Sequence, residues 1–285
     1  MSLWQSIPLA LVLLPLLCAA LAAALPKRPA QVTLLAVLSP QTLLSALLLW
    51  QLRQGGSYAY MMGHYPAPWG NELRAGPLEA LTGMAFAGIQ LLCVLGGLHR
   101  LDQQLLSDRH GVTCALQLLL SAALQALVYT NDLFTAYVFV EILTIAAAAL
   151  IGAHGSGRAL VASVRYLVMN LVGSALFLLS IILLYDLTGQ LLLVPLGGAV
   201  EALRASGAYH LPLEVVVALM CSGLAVKSAL FPFHTWVPDA YGTASPSAAA
   251  ILSGLVSKAY IFLLVKLLLR TVGGALAAEI GRAHV

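Results

Sequence analysis

Apolar runs long enough to cross a bilayer follow one another along almost the whole of this chain. A helix needs about twenty apolar residues to span the hydrocarbon layer. Eight stretches qualify, at 3–25, 31–52, 78–98, 111–129, 131–152, 159–186, 212–231 and 246–271. Of the 285 residues, 61% are hydrophobic and only 9% charged, whereas a soluble domain carries about a quarter charged residues. Inside lipid, backbone polar groups must be paired within the spanning segment itself. The expected fold is therefore an all-α, polytopic bundle of about eight transmembrane helices.

The first span is read as a retained helix. It has no basic region before it, Lys27 and Arg28 follow it, and its apolar run exceeds the roughly 7–15 residues of a signal core. The segment 53–77 is rich in Gly, Pro and Tyr, which suits turns and a small hairpin at the interface. Within 187–211, which is too polar to span, AVEALRASGAYH reads as a short amphipathic helix lying on the surface. Lys27, Arg28, Arg100, Arg109 and Arg158 fall in one set of alternate loops, and Arg53, Arg74, Arg204 and Arg270 in the other. The slight excess on the first set places those loops in the cytoplasm and both ends outside.

The net charge of +3 gives no argument for nucleic acid as a partner. Cys18, Cys93, Cys114 and Cys221 are scattered singly through apolar segments, which suggests small buried hydrophobes rather than a metal cluster or disulfide frame. The sequence has no nucleophile triad, metal motif or phosphate loop. GSG at 155–157 is a turn, with no Lys-Ser/Thr after it. The chain thus carries no catalytic centre of its own.

Its unusual residues are charges at membrane depth, which are costly and mark ion paths or buried partners. Lys227 lies deep in the seventh span and Lys258 deep in the eighth, with FPFHTWVPDA between them. Glu141 sits near the middle of the fifth, as a protonated structural acid or as an ionised partner for a buried lysine. Burial disfavours an ammonium and a nearby carboxylate favours it, so a small movement of Glu141 would load or unload Lys227. Pro232 and Pro238 bracket His234 and are expected to break the helix. A histidine beside such a break can pass protons near neutral pH or be a satisfied structural group. Lys266 is eight residues beyond Lys258, placing both on roughly one face, and near the membrane end it can snorkel to the interface. Asp239 reads as a cap or loop anchor, and Asp132 as the cap of the fifth helix.

Three stretches carry a resemblance: FTAYVFVEILTIAAAALI, GLAVKSALFPFHTWVPDAYGTASPSAAAILSGLVSKAYIFLL and YPAPWGNELRAGPLEAL. Through them the chain resembles the antiporter-like membrane subunits of respiratory complex I, Mrp cation/proton antiporters and membrane-bound hydrogenases. The third stretch leans toward the branch that holds the D-type Mrp subunits and the hydrogenases. The resemblance implies that Glu141 is the family's fifth-helix glutamate, Lys227 the lysine of its broken seventh helix, Lys258 the eighth-helix lysine, and His234 the histidine of the PFHTW segment. It implies a proton relay through these four; Lys266, Asp239 and Asp132 are candidate accessory groups from their own positions, not from the resemblance.

It also implies a fold of about fourteen helices with two inverted five-helix repeats. Residues 1–110 would hold the first three helices, 111–271 the first repeat, and 272–278 the start of a second half. A family aspartate before the third helix is replaced in the Gly76-Pro77 region. Residues 279–285, EIGRAHV, match the translation of a common sequencing-library adapter and are read as an artefact on a longer frame.

The implied activity is that of a translocase subunit, moving protons or exchanging H⁺ for Na⁺ in the plasma membrane of a prokaryote. Its partners would be other membrane subunits of the complex and the lipid bilayer. No cofactor is expected in this chain, and redox cofactors would sit on partner subunits. The residues alone leave two other readings: a self-contained secondary transporter for a small solute, which would also use broken helices at midplane, and a membrane scaffold with a vestigial ion path.

Overall fold

The computed structural model describes residues 3–65, 70–104, 109–207 and 210–273. The sequence assignments at 274–285, and part of the YPAPWG segment, lie outside the described residues. Among the described residues, eight helices are long and apolar enough to cross a membrane, matching the eight apolar runs, so this is a multi-pass helical membrane protein.

The chain order is α1 (Ile7–Ala24), α2 (Lys27–Gly55), a hairpin of β1 (Tyr58–Met61) and β2 (Glu72–Ala75), α3 (Pro77–Gln104), α4 (His110–Tyr129), α5 (Leu133–Gly152) and α6 (Gly157–Thr188). It continues with α7 (Leu193–Ser206), α8 (His210–Ser228), α9 (Val237–Thr243), α10 (Pro246–Ile251) and α11 (Ser257–Leu267). The last two are joined by a π-turn (Leu252–Val256) and act as one span. The helix of the second run starts at Lys27 rather than 31, because Pro26 supplies an extended N-cap and leaves only a tight link from α1.

The hairpin expected within 53–77 forms, with Tyr58 opposite Ala75 and Met61 opposite Glu72. It anchors one end of the bundle. Leu73 bridges to Thr130, Asp132 bridges to Leu192, and Asn131 N–H donates to the Glu72 carbonyl at 2.9 Å. Hairpin, α4–α5 turn and α6–α7 link therefore meet at one end of the bundle, the hairpin end. At the opposite end Arg109 reaches the Ala153 carbonyl, tying the two loops there. Asp132 caps α5 as expected, its carboxylate accepting from Thr135 N–H at 2.6 Å. The surface helix begins earlier than 199, at Leu193, and buries only Leu193, Leu196 and Val200. Such a stripe fits a helix lying on the bundle.

One helix is central. In α4, 78% of the span is buried within the protein, against 33–50% in every other span. Between α6 and α8 the backbones nearly touch: a Cβ on Gly223 would lie 2.7 Å from the Gly173 carbonyl oxygen. Glycines on both helices permit that approach, as small residues do in membrane bundles.

Candidate functional site

α8 ends at Ser228, three residues before the boundary expected from the apolar pattern. Ala229 takes a left-handed φ of 60°, and the Leu230 N–H returns to Ala225 rather than continuing the ladder. Pro232 lies in the resulting break, whereas Pro238 does not break anything. It occupies the first turn of α9, where its missing N–H leaves no bond unmade.

The break ends α8 one residue after Lys227, whose side chain is fully buried and lies 3.4 Å from Glu141 on α5. The inferred meeting of these two residues is thus what the structure contains. Lys227 Nζ also donates to Thr144 Oγ1 at 2.8 Å. That hydroxyl donates its single proton to the Val140 carbonyl at 2.8 Å, so the Tyr260 hydroxyl, 3.0 Å away, must donate to Thr144. The Tyr260 ring stands 5.5 Å from the ammonium, within range of a cation–π contact.

Glu141 is held from the other side. Ser174 on α6 donates to its Oε1, and the same hydroxyl lies 3.0 Å from the Asn170 carbonyl. One hydroxyl has one proton. With Glu141 ionised the proton goes to the carboxylate. With Glu141 protonated the carboxyl can donate to Ser174, which turns to Asn170. The Glu141 side chain is 21% exposed, so the acid is the member of the pair that can be reached from outside the bundle.

The other expected relay groups lie apart from this pair. His234 is exposed and stacks on the exposed Phe231 ring. Lys258 is exposed and folds back 2.6 Å to the Ser253 carbonyl in the π-turn. Asp239 is an exposed ion-pair partner of Arg165, at 2.6 Å, rather than a cap.

Lys266 does not snorkel. It is 1% exposed and donates to the Val128 and Thr130 carbonyls at 2.7 and 2.6 Å, satisfying the end of α4. Nor does it share a face with Lys258, since eight residues of α-helix leave an offset of about 80°. Beside it, Arg270 is ion-paired with buried Glu79 and contacts Asn131 at 3.3 Å, which in turn donates to Glu72 at 3.1 Å. Sequence reasoning missed Glu79 and counted Arg270 as a loop charge. The signal for Glu79 was an acid two residues after Gly76-Pro77, in the first turn of a span, and nothing local pointed to its partner. Thr144, Ser174 and Tyr260 carried no signal of their own, being ordinary residues in apolar runs. Among the described residues, no cluster of three or more His, Cys, Asp or Glu could hold a metal ion.

A fully buried lysine paired with a partly exposed carboxylate at a helix break is the kind of arrangement that intramembrane ion paths use. Residues 130–278 match the family model "NADH:quinone oxidoreductase/Mrp antiporter, TM", and the chain belongs to that family. It is 35% identical over 219 residues to NADH-quinone oxidoreductase subunit N of Desulforudis audaxviator, covering 76% of this chain and 42% of that one. To the D subunit of the Na(+)/H(+) antiporter of Bacillus subtilis it is 28% identical, over 77% of this chain and 43% of that one. A chain in the structure of the membrane-bound sulfane sulfur reductase, an archaeal respiratory membrane complex, superposes with a TM-score of 0.82 at 28% identity, over 92% of this chain and 53% of that one. The chain therefore spans about half the length of the relatives it matches.

Proposed function

We propose that this chain is the first part of a proton-translocating membrane subunit, working within a multisubunit complex of the respiratory, Mrp or membrane-bound hydrogenase type. The observation that carries the reading is the Glu141–Lys227 pair at the break after α8. Lys227 is the loading site. Glu141 stabilises its charged form, and the alternative Ser174 bonds to Glu141 and to Asn170 give the acid two hydrogen-bonded states. Moving Glu141 away from Lys227, or protonating it, releases the lysine's proton.

His234 and Lys258, on the outer surface beyond the break, take the proton onward where a neighbouring helix bundle covers them. Residues 111–271 act as one repeat, and Lys266, Asp132 and Asp239 are structural rather than relay groups. The partners are other membrane subunits in a prokaryotic plasma membrane. Redox cofactors belong to those subunits, and the ion moved is H⁺, with exchange for Na⁺ as the variant use of the same site.

The test is Lys227→Ala in the full-length subunit within its native complex, reconstituted in vesicles with a pH-sensitive dye. Proton movement should be abolished while the complex assembles normally. Unchanged proton movement would leave the chain a scaffold and overturn the proposal.

A further inference from the structure

Lys227 is held from behind. A Cβ on Gly173 of α6 would lie 3.1 Å from Lys227 Cγ, so the stem of the lysine already fills the space against that helix. Its amino head faces Glu141 and Thr144 of α5 and the ring of Tyr260 on α11. Lys227, Thr144 and Tyr260 are all fully buried. In a close-packed setting a clamped side chain changes its bonds most readily when the hydroxyls around it turn.

The π-turn at Leu252–Val256 sets the facing of Tyr260. Its bonds run from residue i to i+5, so it shifts the phase of the helix that follows. Lys258 is exposed, whereas Tyr260, two residues on and about 200° round the helix, points into the bundle.

Each member of the ion pair is bonded to a hydroxyl that has a carbonyl four residues back as its other partner. Ser174 lies between Glu141 and the Asn170 carbonyl. Thr144 donates to the Val140 carbonyl while it accepts from Lys227 and from Tyr260. An ammonium only donates, but a neutral amine has a lone pair that accepts. When Lys227 gives its proton to Glu141, an N–H bond breaks, an O–H bond forms, and both side chains become neutral. The new carboxyl donates to Ser174, which turns to Asn170. The bared nitrogen takes the Thr144 proton, which swings away from Val140, whose carbonyl keeps its helical N–H.

The two hydroxyls on the lysine side pull in opposite directions. A bond from an ammonium to Thr144 is charge-assisted and stronger than one from Thr144 to a neutral amine, so Thr144 favours the loaded lysine. Tyr260 donates to Thr144 in both states. In the loaded state it competes with the ammonium for one oxygen. In the unloaded state Tyr260, Thr144 and Lys227 form a head-to-tail chain in which each bond polarises the next, so Tyr260 favours release.

We infer that Thr144 and Tyr260 form a hydroxyl switch that sets how tightly Lys227 holds its proton. Both are positioning residues, since they turn O–H bonds and neither gains nor loses a proton. The charged group that acts on Lys227 among the described residues is Glu141. Tyr166 of α6 and Tyr241 of α9, beside Tyr260, are phenols, a type uncharged near neutral pH. The inference rests on the reading of Lys227 as the loading site, and it assigns roles to two residues which that reading does not use.

The experiment measures proton flux against pH for Thr144→Val and Tyr260→Phe, beside Lys227→Ala, in the full-length subunit within its complex, in vesicles with a pH-sensitive dye. Each of the first two removes a hydroxyl and keeps the shape. As pH rises the lysine fails to load and flux falls. Thr144→Val should move that fall to lower pH by about one unit, because one charge-assisted bond changes proton affinity about tenfold. Tyr260→Phe, which keeps the ring beside the ammonium, should move it to higher pH by about half a unit. Thr144→Ser returns the hydroxyl and should restore the wild-type profile. Lost packing alone would lower flux at every pH without opposed shifts. Shifts of the same sign, or unmoved profiles with Lys227→Ala still abolishing flux, would overturn the switch and leave the proposed function standing. Unchanged flux in Lys227→Ala overturns both readings. Should Thr144→Val not assemble, the other two variants decide: an upward shift in Tyr260→Phe with a wild-type profile in Thr144→Ser supports the switch, and an unmoved Tyr260→Phe profile overturns it.

Discussion

Replacing Gly223 by alanine tests whether the packing of α6 against α8 sets the geometry of the ion pair. The new Cβ would lie 2.7 Å from the Gly173 carbonyl oxygen and 2.7 Å from the Phe177 nitrogen, where ordinary contact begins at 3.4 Å. Both are backbone atoms, so the helices must part by about 0.7 Å. Lys227 lies one turn on from Gly223, while Glu141 is held by Ser174 on α6, so the parting lengthens the 3.4 Å pair beyond about 4 Å.

At an effective dielectric of about 20 the attraction then falls from about 5 to about 4 kcal/mol. Overpacking adds roughly 1–3 kcal/mol, for a combined loss of about 2–4 kcal/mol. At roughly 2–4 °C per kcal/mol for 150–250 residues, and less for the longer full-length protein, the melting temperature should drop by several degrees. The assay is the thermal unfolding of the purified full-length protein by intrinsic fluorescence. Gly198→Ala serves as control, since a methyl group added at that exposed glycine within α7 would meet nothing within 4 Å. There, alanine should stabilise by roughly 0.5–1 kcal/mol. If Gly223→Ala behaves like the control, the close crossing does not govern the site.

Two further substitutions separate structural from exposed groups. Lys266→Met should destabilise by several kcal/mol, because it leaves the Val128 and Thr130 carbonyls buried and unpaired; Lys258→Met, at an exposed position, should leave the melting temperature within a degree or two. Equal effects in unfolding experiments would refute the assignment of Lys266. Asp132→Ala removes the side-chain bond to the Thr135 N–H and should cost about 1 kcal/mol, read as a lower urea or thermal midpoint, with no effect meaning that water replaces the cap.

Much of the fold could be read locally. Eight apolar runs gave eight spans, Asp132 after YTN gave a cap, and the Gly- and Pro-rich stretch at 53–77 gave a hairpin. Boundaries failed where backbone chemistry overrode the apolar pattern, as at Lys27 after Pro26 and at the left-handed Ala229. The site was legible in its rare residues only. Glu141 and Lys227 stood out because charge in an apolar run has few explanations, and their contact was inferred from that rarity. Lys266 was misjudged because depth along a helix was used in place of direction around it.

Residence in a membrane, the positions of the spans and the identity of the misplaced charges all follow from the order of residues. They arise from hydrophobic transfer and from the cost of burying charge, which act residue by residue. Which charges meet is a matter of packing. Folding put Lys227 against Glu141 and Thr144, Lys266 at the end of α4 and Arg270 on Glu79, while leaving Lys258 and His234 outside. Pairing depends on helix rotation and on backbone approaches such as that of Gly173 to Gly223. Those are set by side chains from distant segments packing together, which no local stretch of sequence records.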